Sequence, residues 1–174
     1  MTFVLLMIIA AQPQMKIILP DTPVPQTLQS LVAILAGATL GGRLGMVSMA
    51  LYLALGTMFE PVFVRGTGAL WGITGGYLVG FLICQPIVGM LTHVVSEQPR
   101  DSICRIFLAG VVGHGVVLGC GFAGMWAAFD GNATRAFELG VLPFVVSTFL
   151  KIAVLMIVGA PIHAALRTQF DPAR

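Results

Sequence analysis

The chain has 174 residues, of which 57% are hydrophobic and only 9% charged, with a formal net charge of +2 and a mean hydropathy of +0.97. A water-soluble domain carries about 25% charged residues, so this chain has too little charge to coat a water-facing surface. Its nine Lys and Arg are scattered rather than clustered, which excludes the basic patch of a nucleic-acid binder.

Charge-free windows cover residues 22–42, 44–59, 66–96 and 106–129, and 139–166 is interrupted only by Lys151. An apolar stretch of about 18 or more residues reads as a membrane-spanning helix. The windows are continuous rather than alternating in segments of about ten residues, which argues against a β-barrel. With Met1–Met15 as a shorter first span, the pattern predicts a single-domain, all-α integral membrane protein of six transmembrane helices.

In chain order, helix one is expected over Thr2–Met15, broken near Pro13. It lacks a basic start, so it reads as a retained helix rather than a cleaved signal peptide. Pro20, Pro23 and Pro25 keep the loop Lys16–Pro25 extended. That stiff segment leads directly into helix two, about Gln26–Leu40, with early polar side chains as caps. Gly41–Gly42 is a stop signal, Arg43 completes a tight link, and helix three covers about Leu44–Met58. A loop at Phe59–Thr67 precedes helix four, Gly68–Val95. The polar link Ser96–Arg105, helix five over Ile106–Phe129, the loop Asp130–Glu138 and helix six over Leu139–Leu166 complete the reading.

Arg43, Arg100, Arg105, Arg167 and Arg174 fall on one side of these spans, and Lys16, Arg65 and Arg135 on the other. The excess of basic residues marks the cytoplasmic side, which puts both termini in the cytoplasm and the proline-rich loop on the outer face.

Lys151 is the one formally charged side chain inside a span, about 12 Å down a helix from Pro143 at 1.5 Å per residue. A Lys at membrane depth costs at least about 2.5–3.5 kcal/mol, and such residues usually face a cavity or a partner. With no Asp or Glu in any expected span, Lys151 is a candidate docking point for an external anion. A lysine snorkelling to the outer interface is the alternative. Arg65, in the loop before helix four, could reach over the same cavity or be a solvated loop charge. Gly75–Gly76 could expose backbone to a bound molecule or to a neighbouring helix. Tyr77, Trp71, Tyr52 and Trp126 suit either a ring-binding cavity or the aromatic belts at membrane interfaces.

The remaining reactive residues form no known chemistry. His93, His114 and His163 are not spaced as a metal site, and packing explains His114 better than ligation. Cys84, Cys104 and Cys120 are isolated, as expected of packing residues. Asn132-Ala133-Thr134 matches a glycosylation sequon, a match common by chance. There is no phosphate loop and no nucleophile elbow. No enzyme is indicated, no cofactor is called for, and binding or transport is what remains.

Several motifs taken together carry a resemblance. Pro23-Val24-Pro25-x-Thr27-Leu28-Gln29-x-Leu31 is followed by Leu35-Ala36-Gly37-x-x-Leu40-Gly41-x-x-x-Gly45. Then come Tyr52-Leu53-x-Leu55-Gly56, Pro61-Val62-Phe63, Thr74-Gly75-Gly76-Tyr77-Leu78-x-Gly80-Phe81, and Pro143-Phe144 with Lys151. This set resembles the BioY family, the biotin-binding membrane subunits (S components) of energy-coupling-factor (ECF) transporters. The resemblance implies a six-helix bundle that binds biotin in a cavity near the outer face, under the loop between helices one and two. It makes Lys151 the partner of the biotin carboxylate, with Thr148, Arg65, Tyr77, Gln29 and the backbone of Gly75 and Gly76 around the rest of the molecule. It further implies residence in the inner membrane, a transmembrane coupling protein and two ATPase subunits as partners.

Two positions depart from the family pattern. The last motif runs approximately Pro-Phe-x-Pro-Gly-Asp-x-x-Lys in the family, and Thr148 stands here where the Asp is expected, three residues before Lys151 and on the same helix face. The Ala-x-x-x-Ala pattern through which such subunits dock is absent from helix one, where Ala10 and Ala11 are the nearest alanines. A related subunit for another small anionic vitamin or precursor is therefore an alternative, and a ligand-free structural or assembly role in the membrane is a third.

Overall fold

The computed structural model describes residues 1–17, 20, 22–92 and 99–170. The chain begins with α1, Thr2–Ala10, which is apolar throughout after Thr2. Nine residues span only about 14 Å, less than half the hydrocarbon core of about 30 Å. The longer helix expected over Thr2–Met15 is not formed, because Pro13 has no amide to donate. The chain turns at Ala11–Gln12 into a short 3-10 turn, Pro13–Met15.

Helix two starts later than expected. Gln26 is not helical but pairs with Ile17 in an isolated antiparallel bridge, with amide-to-carbonyl distances of 2.8 and 2.9 Å. The helix α2 runs Gln29–Met58, and the Thr27 hydroxyl accepts the Gln29 amide at 3.3 Å. The stop expected at Gly41–Gly42 is a kink rather than a gap. Gly41 has φ 80° and ψ 169°, a conformation open to glycine and strained for any other residue, and the helix resumes at once. Residues 29–40 and 42–58 fold back on one another, so that the Gln29 amide meets the Tyr52 hydroxyl. In a straight helix these residues would lie about 35 Å apart.

The helix α3, Gly75–Thr92, packs along this hairpin. A Cβ placed on Gly89 would lie 2.1 Å from the Gly42 amide nitrogen, so the two backbones touch at the kink. Gln85, fully buried, donates from Nε2 to Ala33 O at 3.1 Å and to Phe81 O at 2.6 Å. The expected start of this helix at Gly68 is replaced by a 3-10 turn, Thr67–Trp71, and its expected end at Val95 lies outside the described residues. The helix α4, Pro99–Ala128, absorbs the described part of the expected link Ser96–Arg105, since proline is well suited to a first helical turn.

The expected loop Asp130–Glu138 holds a further helix, α5, Ala133–Gly140, capped by the Asn132 side chain accepting the Arg135 amide at 2.9 Å. A 3-10 turn, Leu142–Phe144, then leads into α6, Val145–Phe170, so this helix starts six residues after Leu139. Among the described residues, four segments are long and apolar enough to cross a membrane: Gln29–Met58, Gly75–Thr92, Ile103–Ala128 and Ala133–Gly159. Met7, Ile34, Met49, Tyr52, Val88, Ile106, Met125 and Leu155 fill the interior, whereas Val146, Phe149, Leu150 and Ile157 face outward from α6. Apolar side chains directed away from the core are the mark of a surface in contact with lipid.

Candidate ligand site

The ends of α2, α3 and α6 that lie near the proline-rich loop enclose a cavity, with α4 forming part of its wall. It holds about 670 Å³ of space not occupied by protein atoms, its open side included. Helical spacing explains which side chains reach it. Thr74, Tyr77, Leu78 and Phe81 recur along one stripe at the start of α3, and His114, Val117 and Leu118 do so on α4. Thr148 and Lys151 lie one turn apart on α6, and Gln29 and Ser30 open α2. Phe63 and Phe144 add aromatic surface, while Val24 and Pro25 close over the top.

Lys151 is partly buried, and its Nζ donates to Ser30 Oγ at 3.1 Å. None of the described residues lining the cavity is acidic, so the ammonium meets no anion among them. Gln29 is held on both sides of its amide: Nε2 donates to the Tyr52 hydroxyl, and Oε1 accepts from Thr27 Oγ1 at 3.1 Å. Tyr52 is itself fully buried, with its ring edge-on to Phe63 at 5.3 Å between centroids. The Tyr77 hydroxyl donates to Gly140 O, which commits its polar end to the protein.

The segment over the cavity is fastened to both of its neighbours. Thr22 Oγ1 donates to Leu139 O at 2.5 Å and Gln26 Nε2 to Pro143 O at 2.6 Å, toward α5 and α6. On the other side, Arg65 Nη1 donates to Pro23 O at 2.6 Å. Arg65 is exposed and lines the rim, so its guanidinium is used first to hold this segment.

Of the residues singled out in the sequence, Lys151, Thr148, Arg65, Tyr77 and Gln29 come together here. Gly75 and Gly76 do not line the cavity. A Cβ on Gly75 would meet Leu70 O at 1.9 Å and one on Gly76 would meet Cys120 O at 2.2 Å, so this pair serves close backbone packing. Ser30, Thr27 and His114 were missed. His114, assigned above to packing, lines the cavity and is 2% exposed. Its Nδ1 bonds Gly110 O at 2.9 Å, and its Nε2 is buried without a partner among the described residues. No group of three or more His, Cys, Asp or Glu could hold a metal ion among the described residues, and His93 falls outside them.

In a helical membrane protein, a lysine-bearing cavity under a tethered loop is suited to holding a small anionic molecule. The "BioY family" description matches residues 1–168, and the chain belongs to that family. It is 36% identical over 140 residues to the "Probable biotin transporter BioY" of Pyrococcus horikoshii, covering 79% of each chain. It is 31% identical over 144 residues to the "Biotin transporter BioY" of Thermotoga maritima, covering 81% of this chain and 82% of the relative. For "Biotin transporter BioY2" of Lactococcus lactis the identity is 31% over 153 residues, with 85% and 81% covered. The fold is similar to a crystal structure of the S-component for biotin from an ECF-type ABC transporter, with a TM-score of 0.68 at 20% identity, covering 97% of this chain and 86% of that one.

Proposed function

We propose that this chain is a biotin transporter subunit that captures biotin from the outer face of the inner membrane. The observation that carries this reading is Lys151: a cation inside a largely apolar cavity with no acidic residue among the described ones that line it. Biotin at neutral pH supplies the missing anion through its carboxylate, and its ring and valeryl chain suit the apolar walls. Gln29, Thr148 and Thr27 offer polar contacts, and the fastened segment from Thr22 to Gln26 covers part of the cavity above them.

The six-span layout is part of the same proposal. The two limbs of α2 serve as separate membrane segments beside α1, α3, α4 and α6, with the short α1 filling the first position together with its 3-10 turn. Both termini then lie in the cytoplasm, and the whole chain forms one domain. An ECF coupling protein and two ATPase subunits supply the energy. Ala10 and Ala11 are buried, at 5% and 2% exposure, so docking on such a partner uses other residues.

Saturable binding of radiolabelled biotin to the purified chain in detergent tests the reading, and its absence removes the substrate assignment. Thr148 on the cavity wall favours a second reading, an S component for a related anionic vitamin or precursor. Stronger competition by desthiobiotin, lipoate or pimelate than by biotin itself selects that alternative.

A further inference from the structure

The ring of His114 is an orphaned hydrogen-bonding group at the ligand cavity. A carbonyl oxygen only accepts, so the 2.9 Å contact with Gly110 O requires that Nδ1 carry the proton. In the neutral ring Nε2 is then a bare acceptor, and it is buried with no partner among the described residues. Leaving a buried polar atom unpaired is unfavourable, and such atoms in a native fold usually have a reason. The position matters as well. The neighbouring Gly113 packs against Ile34, where an added Cβ would lie 3.0 Å from Ile34 Cγ1. Ile34 is one helical turn further along α2 than Ser30, the partner of Lys151. His114 follows Gly113 at that level, lines the cavity and, at 2% exposure, is out of reach of bulk water.

We propose that His114 reads the ligand: its Nε2 accepts a hydrogen bond from an N–H donor of the bound molecule. Resting on the biotin reading above, this donor is one of the two ureido N–H groups, and Gly110 O fixes the tautomer that receives it. The site then discriminates at two places, for an anion at Lys151 and for a hydrogen-bond donor at His114.

The test uses the full chain purified in detergent, with biotin and its two mono-N-methyl ureido derivatives as probes. Wild type is expected to bind one of the N-methyl derivatives at least about tenfold more weakly than biotin. H114L, which has no acceptor, is expected to lose about tenfold in biotin affinity and most of its discrimination between the probes. H114Q places an oxygen near the Nε2 position and is expected to recover most of the affinity. The proposal is overturned if wild type binds biotin and both derivatives equally, or if H114L keeps the wild-type discrimination. An H114Q protein as weak as H114L assigns the loss to packing and overturns it too. If H114L does not fold, the comparison of probes on wild type still decides. Failure of wild type to bind biotin at all removes the functional reading and this inference together, whereas the other adverse results remove this inference alone.

Discussion

Lys151 Nζ on α6 donates to Ser30 Oγ on the first turn of α2, so two elements 121 residues apart in the chain are joined at the cavity by a cation and a neutral hydroxyl. The hydroxyl orients the ammonium without neutralising it. That leaves the charge available to a ligand, at the cost of holding a partly buried cation.

Lys151→Ala is therefore expected to weaken biotin binding by about 2–5 kcal/mol, because the carboxylate would be buried without its partner. Biotin amidated at the carboxylate provides the reciprocal measurement. Wild type should prefer the free acid, and the variant should show much less preference. An unchanged preference would return Lys151 to a snorkelling role and pass the carboxylate to Arg65 or to backbone donors.

The fastenings of the Thr22–Gln26 segment should govern release. Arg65→Ala removes a charge-assisted bond to Pro23 O, of the kind worth about 1.5–3 kcal/mol. A pulse of labelled biotin chased with unlabelled ligand should show faster dissociation, with the preference for free acid over amide retained. Loss of that preference in Arg65→Ala would mean that this guanidinium touches the carboxylate itself.

Tyr52→Phe deletes one buried hydroxyl and leaves the Gln29 amide without its partner. The expected cost is about 1–3 kcal/mol of stability. It is read as a lower midpoint of thermal unfolding in detergent, together with weaker binding, since Gln29 lines the cavity. A variant as stable as wild type would show that the bond is dispensable.

Two glycines offer opposite outcomes for the same substitution. In Gly89→Ala the new methyl would meet the Gly42 nitrogen at 2.1 Å, and backbone cannot swing aside. This should destabilise by about 1–3 kcal/mol or more as overpacking. Gly115 in α4 has nothing within 4 Å of an added Cβ, so Gly115→Ala should be neutral or stabilising by up to about 1 kcal/mol through helix propensity. The detergent-resistance midpoint of Gly89→Ala should fall below that of wild type, and that of Gly115→Ala at or above it.

Legibility in the sequence followed how local each cause was. The apolar windows, the prolines at 20, 23 and 25 and the break at Gly41 act through a few neighbouring residues, and each is visible without a fold. Lys151 was legible for a different reason: the energetic demand of a charge in an apolar run calls for a cavity or a partner. The α5 helix was hidden because its polar residues read as a loop, although Asn132 three residues before Arg135 was a cap in plain view. Gly75–Gly76 and His114 could not be sorted by inspection. The first owes its role to the carbonyls of Leu70 and Cys120, and the second to the cavity beside it. Which neighbour a residue meets across the bundle is not written in its own segment.

Among the described residues, the three side-chain fastenings of the segment over the cavity end on main-chain oxygens, those of Pro23, Leu139 and Pro143. A carbonyl persists whatever side chain its residue carries, so drift at positions 23, 139 and 143 that preserves the backbone leaves the acceptors in place. The donors Thr22, Gln26 and Arg65, beside the backbone bridge of Gln26 to Ile17, set how firmly the segment is held. On the proposed function, the lifetime of the occupied state is open to change through Thr22 and Gln26, which do not line the cavity, while Lys151 and the cavity walls stay fixed. This separates the tempo of ligand exchange from the choice of ligand.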